Sequence, residues 1–110
     1  AQQEIKVKKG FGQLIEMRPI VANLGGAQSQ RYIKLTPYLE LANDKIKEDI
    51  EKNIVPIRNS FLMYISDLKV EEAVTADQKK KISEDMRKVI NEIFGKKVVR
   101  RVFFSEFVMQ

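Results

Sequence analysis

The sequence predicts an α+β domain, a small and mostly antiparallel sheet of about three main strands packed against two or three helices. Three observations lead there. Period-two alternation marks strands near both ends of the chain, apolar residues at steps of three or four mark two helices in its middle, and 110 residues suffice for one core. The 44% apolar and 32% charged fractions fit one globular domain, and no apolar run approaches the roughly 18 residues that would cross a bilayer.

Residues 1–16 are mixed in polarity and broken by Gly10 and Gly12, so they read as an extended tether or a marginal edge strand. The two glycines are not a dinucleotide fingerprint, because no amphipathic helix follows them. Residues 17–24 read as a short strand with Pro19 near its start, and Gly25-Gly26 opens the turn of a hairpin. Residues 31–41 form its second strand, with Ile33, Leu35, Leu39 and Leu41 on one face and Tyr32, Lys34, Thr36, Tyr38 and Glu40 on the other. Pro37 cannot donate to a ladder, which predicts an edge strand or a bulge.

Asn43 is a good N-cap for a helix whose stripe is Ile46, Ile50, Ile54, Ile57, Phe61 and Ile65. Pro56 predicts a break near residues 53–55, with the helix resuming to about Ser66. Thr75 and Gln78 form a capping box for a second helix with the stripe Ile82, Met86, Val89, Ile90 and Ile93, closed by Gly95. Its Lys79-Lys80-Lys81 run is interleaved with acids, which suits a solvated face.

The last strand, residues 98–110, is apolar on both faces under strict alternation. Val98, Val102, Phe104 and Val108 fall on one face and Val99, Phe103, Phe107 and Met109 on the other. One helical layer covers one face of a sheet, so the second face calls for a neighbouring subunit or a segment of the same chain.

Cysteine and histidine are absent, which removes thiol nucleophiles, disulfides, Ser-His-Asp triads and Cys/His zinc sites. Glu48, Asp49 and Glu51 project outward from a helix and match no carboxylate metal pattern, so no catalytic residue, metal or cofactor is expected. Glu106, between apolar neighbours, is either a solvent-facing acid or a paired one with Arg100 or Arg58 as partner. The net charge of +5 gathers at Lys6, Lys8 and Lys9 and again at Lys96, Lys97, Arg100 and Arg101. These are solvated surfaces or contacts with something acidic. Tyr32 and Tyr38 flank Lys34 as a single-strand nucleic-acid binder would require, but no recognised RNA-binding motif accompanies them.

Pro19 with Asn23 and Leu24, the run Arg31-Tyr32-Ile33-Lys34-Leu35, Pro56 with Arg58, and the closing Val102, Phe104, Glu106, Phe107 and Gln110 form four segments between residue 17 and the end. Together they resemble the FliL family of flagellar basal-body-associated proteins. The resemblance implies a fold like the stomatin/prohibitin (SPFH) group, residues 17–110 as a single periplasmic domain, and residues 1–16 as a linker after an inner-membrane helix outside this chain. It implies a non-enzymatic role, with homo-oligomeric rings beside stator units of the MotA/MotB type at the flagellar basal body, supporting stator assembly and torque under load. The residues proposed to meet a partner are Lys96, Lys97, Arg100, Arg101 and Phe103, with the tether from Lys6 to Glu16. No nucleic acid is expected; the alternatives are a nucleic-acid-binding α+β module and a stomatin-like membrane scaffold unrelated to motility.

Overall fold

Alternation at both ends and helical stripes between them become seven main elements in the computed structural model, which describes residues 12–25 and 30–110. In chain order they are β1 (Leu14–Glu16), β2 (Ile20–Asn23), β3 (Tyr32–Leu41), α1 (Lys47–Lys52), α2 (Ile54–Ser66), α3 (Ala76–Phe94) and β4 (Val99–Met109). Short 3-10 turns at Asp44–Ile46 and Val70–Ala73 precede α1 and α3. The earlier part of the tether, with Lys6, Lys8, Lys9 and Gly10, and the hairpin tip from Gly26 lie outside the described residues.

The sheet is antiparallel throughout. β1 and β2 lie end to end along one side of β3, and β4 runs along the other. β3 is therefore interior, which corrects the edge-strand alternative for Pro37 and leaves the bulge. The Pro37 carbonyl accepts from the Met17 amide at 2.9 Å in the break between β1 and β2, and the register with β4 shifts between Thr36 and Pro37. The missing amide falls where the ladder is already interrupted.

Two bulges rewrite the faces of β4. Residues 104–106 span the same length as 36–37 of β3, and 99–102 the same length as 39–41, so Ser105 and Arg100 are extra residues on β4. Each insertion reverses the alternation. Val99, Val102, Phe104, Phe107 and Met109 therefore oppose Leu41, Leu39, Pro37, Leu35 and Ile33 on the core side. The expectation of two equally apolar faces is corrected: only Phe103 and Val108 remain with Arg101 and Glu106 on the other side.

The helical stripes form as read. α1 ends at Lys52, Asn53 leaves helical geometry with φ −112° and ψ 20°, and α2 starts at Ile54. Pro56 thus sits in the first turn of α2, where a missing amide costs no intrahelical bond. In α3 the Thr75 hydroxyl accepts from the Gln78 amide and the Gln78 side chain accepts from Thr75 N, each at 3.1 Å. Gly95 ends the helix with φ 66°, a left-handed conformation that favours glycine. Ile57, Phe61 and Ile65 of α2 and Ile82, Met86 and Ile90 of α3 join Ile20, Ile33, Leu35, Leu39, Val99 and Val102 in one buried cluster. Ile93 is the exception to the predicted stripe, being 41% exposed.

Truncating Phe61→Ala, at the centre of that cluster, should lower unfolding free energy by about 3–5 kcal/mol in urea titrations. Ile93→Ala should change it by less than about 1 kcal/mol.

Candidate interaction surface on the open face of the sheet

With α2 and α3 buried against one side of the sheet, its other side is open among the described residues. Val21, Lys34 and Val108 stand side by side across three strands, and Phe103 faces Tyr38. Leu14, Val21, Tyr32 and Val108 are exposed there although large and apolar. The face is apolar in its small and aromatic positions and charged between them.

Its centre is a buried carboxylate. Glu40, in β3, has no exposed surface, and Arg100 and Arg101 oppose it together because the bulge at Arg100 places two successive residues against one. Arg101 binds it through Nε and through Nη2 at 3.0 Å, Arg100 Nη1 stands 4.0 Å away, and the Gly12 amide donates to Oε2 at 2.8 Å. Burial pushes the Glu40 carboxyl up, but the Arg101 bond, the Gly12 amide and the two guanidinium charges outweigh it and hold the group below its ordinary value.

Comparison with known proteins gives this fold a family. A family model described as flagellar basal body-associated protein FliL matches residues 14–110. The chain belongs to the FliL family. It is 29% identical over 92 residues to the flagellar protein FliL of Aquifex aeolicus (strain VF5), an alignment covering 84% of this chain and 57% of that relative. The chain thus spans little more than half the length of the curated relative it matches.

The residues that carry the FliL resemblance mostly bind one another. Arg58 of α2 donates to the carbonyl of Arg18 at 2.8 Å and to that of Pro19, fixing the start of β2 to the helix. Tyr32 and Gln110 exchange backbone bonds of 2.9 and 2.8 Å, and the Tyr32 hydroxyl donates to the Gln110 side chain. Asn23 opposes Tyr32 at the end of β2, and Leu24 and Val102 are buried. Phe104 and Phe107 pack edge to face with ring centroids 5.3 Å apart on the core side. Pro56 is exposed in the first turn of α2.

Glu106 pairs with neither partner expected for it. It accepts from the Thr36 hydroxyl at 3.3 Å and lies 3.8 Å from Lys34 Nζ, whereas Arg58 is bound to carbonyls and Arg100 turns to Glu40. Of the basic cluster, Arg100 and Arg101 are tied into the fold, while Lys96 and Lys97 are exposed in the turn before β4, with Lys96 beside Arg87 and Lys88 over a shallow groove at the end of α3. Phe103 is half buried on the open face, under the Arg101 guanidinium at 5.8 Å from the ring centroid. Tyr38 shares that face with Glu16, Glu40 and Glu106, so its surroundings are more acidic than a nucleic-acid platform requires.

Glu40 and Gly12 are the site residues that sequence reading missed. The available signal for Glu40 was an acid between Leu39 and Leu41 near the end of a strand, and for Gly12 a glycine two residues before a strand. A second polar group, Tyr64, donates to Asp85 at 2.7 Å, and Lys81 reaches the same oxygen at 2.7 Å. Burial and the Asp85 bond raise the Tyr64 hydroxyl, which makes the trio a clasp between α2 and α3 rather than a base. Among the described residues no group of three or more acidic side chains could hold a metal.

The Glu40 shift has a consequence for pH. A carboxyl held lower in the folded state than its unfolded value of about 4.3 contributes stability that is complete above that value and lost as pH falls through the folded value. Acid titration of unfolding should therefore show stability falling below about pH 4.3, with a shallower fall in Glu40→Gln. At pH 7, Glu40→Ala should cost about 1–3 kcal/mol, since it removes the charge-assisted bonds of Arg101 and the acceptor for the Gly12 amide while both arginines, being partly exposed, can turn to water.

Proposed function

We propose that this chain is the periplasmic domain of a membrane-anchored flagellar accessory protein, with a stomatin-like (SPFH) assembly mode. It associates with further copies of itself in a ring beside ion-driven stator units of the MotA/MotB type at the basal body. Its role is structural and regulatory, supporting stator assembly and torque under load, without catalysis. Family membership supports the flagellar part of this reading. The oligomeric part rests on one observation, the open sheet face on which Val21, Tyr32 and Val108 remain exposed beside Phe103.

A neighbouring copy would bury those side chains and bring the edge of one sheet against the next domain. The reading places the membrane anchor upstream of the domain, as the family resemblance implies; no helix among the described residues is long and apolar enough to cross a membrane. Attachment to a bilayer raises the effective concentration of subunits, so a weak contact suffices for assembly in place. Lys96 and Lys97, which are exposed, add electrostatic steering toward an acidic partner.

Sedimentation of the chain at high concentration should show self-association that Phe103→Glu or Val108→Glu reduces at least tenfold in apparent affinity, while circular dichroism stays unchanged. Unchanged monomer for the parent chain, or equal association in both variants, contradicts the assembly reading. In cells, the same substitutions and charge reversal at Lys96 and Lys97 should reduce spreading in viscous medium and co-purification of stator proteins.

A further inference from the structure

β1 is the shortest strand of the sheet and is paired to only one end of β3. It has three residues, of which Leu14 and Glu16 are exposed and Ile15 alone reaches the core. Three ladder positions with one apolar contact are too little to be stable without further fastening. That fastening lies just upstream. The Leu41 amide donates to Gln13 O at 2.9 Å, and Gly12 N reaches Glu40 Oε2 at 2.8 Å. Gly12 approaches so closely that a Cβ there would stand 2.7 Å from the Leu41 carbonyl oxygen, so a glycine is needed for the contact to close.

Glu40 also joins β1 to the open face. Its other partner, Arg101, stacks on Phe103; Phe103 opposes Tyr38, and Tyr38 opposes Glu16 of β1. The contacts close a ring from Gly12 through Glu40, Arg101, Phe103 and Tyr38 back to β1. We propose that β1 is a detachable strap with Glu40 as its latch, and that release of Gly12 from Glu40 frees the edge of β3 at residues 38–41 while the rest of the domain stays folded.

Two features make the open state accessible. When Gly12 leaves, the carboxylate keeps its Arg101 bonds and the nearby Arg100 charge, so detachment does not strand an unpaired buried charge. β2 remains paired with residues 32–35 and β4 with the whole length of β3, so the core loses only the cover that Ile15 provides. The chain upstream of Gly12 joins the strap directly. Among the described residues the latch is the contact nearest that upstream chain, and the edge uncovered by its release presents unpaired backbone groups that another strand can accept. The strap goes beyond the proposed function and stands or falls without it.

Residue-resolved hydrogen exchange on the whole chain tests this. In the parent protein the Gly12 and Leu41 amides should exchange through an opening that depends less on added urea than the opening of the α3 core amides. In Glu40→Gln and Gly12→Ala, exchange at Leu41 relative to α3 should accelerate at least tenfold. If Gly12 and Leu41 exchange in the parent protein with the same urea dependence as α3, they open only by global unfolding and the strap does not exist. That outcome is decisive even if neither variant folds. An unchanged ratio of Leu41 to α3 exchange in folded variants equally overturns the latch.

Discussion

Every strand pairing among the described residues is a pairing with β3, and most of the architecture follows from what one ten-residue strand must accommodate. On one side it takes two short strands end to end, and on the other a single strand of 11 residues. The break between β1 and β2 gives Pro37 a place where its missing amide matters little. The extra length of β4 is absorbed by two bulges, and each bulge turns the alternation over. That double reversal collects five apolar residues of β4 on the helix side, so one helical layer closes the core. A β4 without bulges would send Val102 and Phe104 to the opposite side from Phe107 and Met109, and no single layer could bury both sets.

The same bulge that corrects the core at Val99 and Val102 creates the charge cluster on the open face. Two consecutive arginines on a regular strand would point to opposite faces. Inserted at a bulge, Arg100 and Arg101 both address Glu40, and the fork of Arg101 matches the carboxylate through two nitrogens, a geometry lysine cannot provide. A buried ion pair is seldom a net gain over apolar packing, because desolvation opposes the attraction. Here the group does something that apolar packing could not. It gives the entering chain a hydrogen-bond acceptor at a fixed position, so β1 docks in one register only. Stability comes mainly from the apolar cluster on the other side of the sheet, and Glu40 determines where the N-terminal part of the domain attaches.

Whatever depends on local chemistry was legible in the sequence. The limits of α3 follow from a capping box and a left-handed glycine within the helix ends themselves, and the break at Asn53 follows from Pro56 three residues on. The α+β class and the hairpin between β2 and β3 follow from periodicity and the Gly25-Gly26 turn. What depends on pairing was not legible. The face that each β4 residue occupies is decided by its register with a strand about 70 residues earlier, so strict alternation misassigned Val99, Phe107 and Met109 relative to Val102 and Phe104. Arg101 and Glu40 are 61 residues apart, and nothing near either one announces the other. Ile93 lies on the predicted stripe of α3 yet is exposed, because the core-facing line steps by four through Ile82, Met86 and Ile90 to Phe94, which packs against the core in its place. On the open face, the alternation of Tyr32, Lys34, Thr36, Tyr38 and Glu40 was correct, but burial of Glu40 was invisible without its partners.

Family membership and partner contact are consequently written on different parts of the molecule. Pro19 is joined to Arg58, Tyr32 to Gln110, and Glu106 to Thr36 and Lys34; Leu24, Val102, Phe104 and Phe107 fill or border the core. These contacts link the start of β2 to the helix layer and hold one end and the middle of the long β3–β4 ladder, each across tens of residues of sequence. They are the contacts by which the chain closes on itself, and substituting them would damage the fold before it revealed anything about a partner. The side chains of Val21, Val108, Lys96 and Lys97 are instead exposed. The physical division is clean: long-range hydrogen bonds and core packing fix the sheet, and the apolar side chains that the sheet leaves in water are the ones whose burial would favour a second molecule.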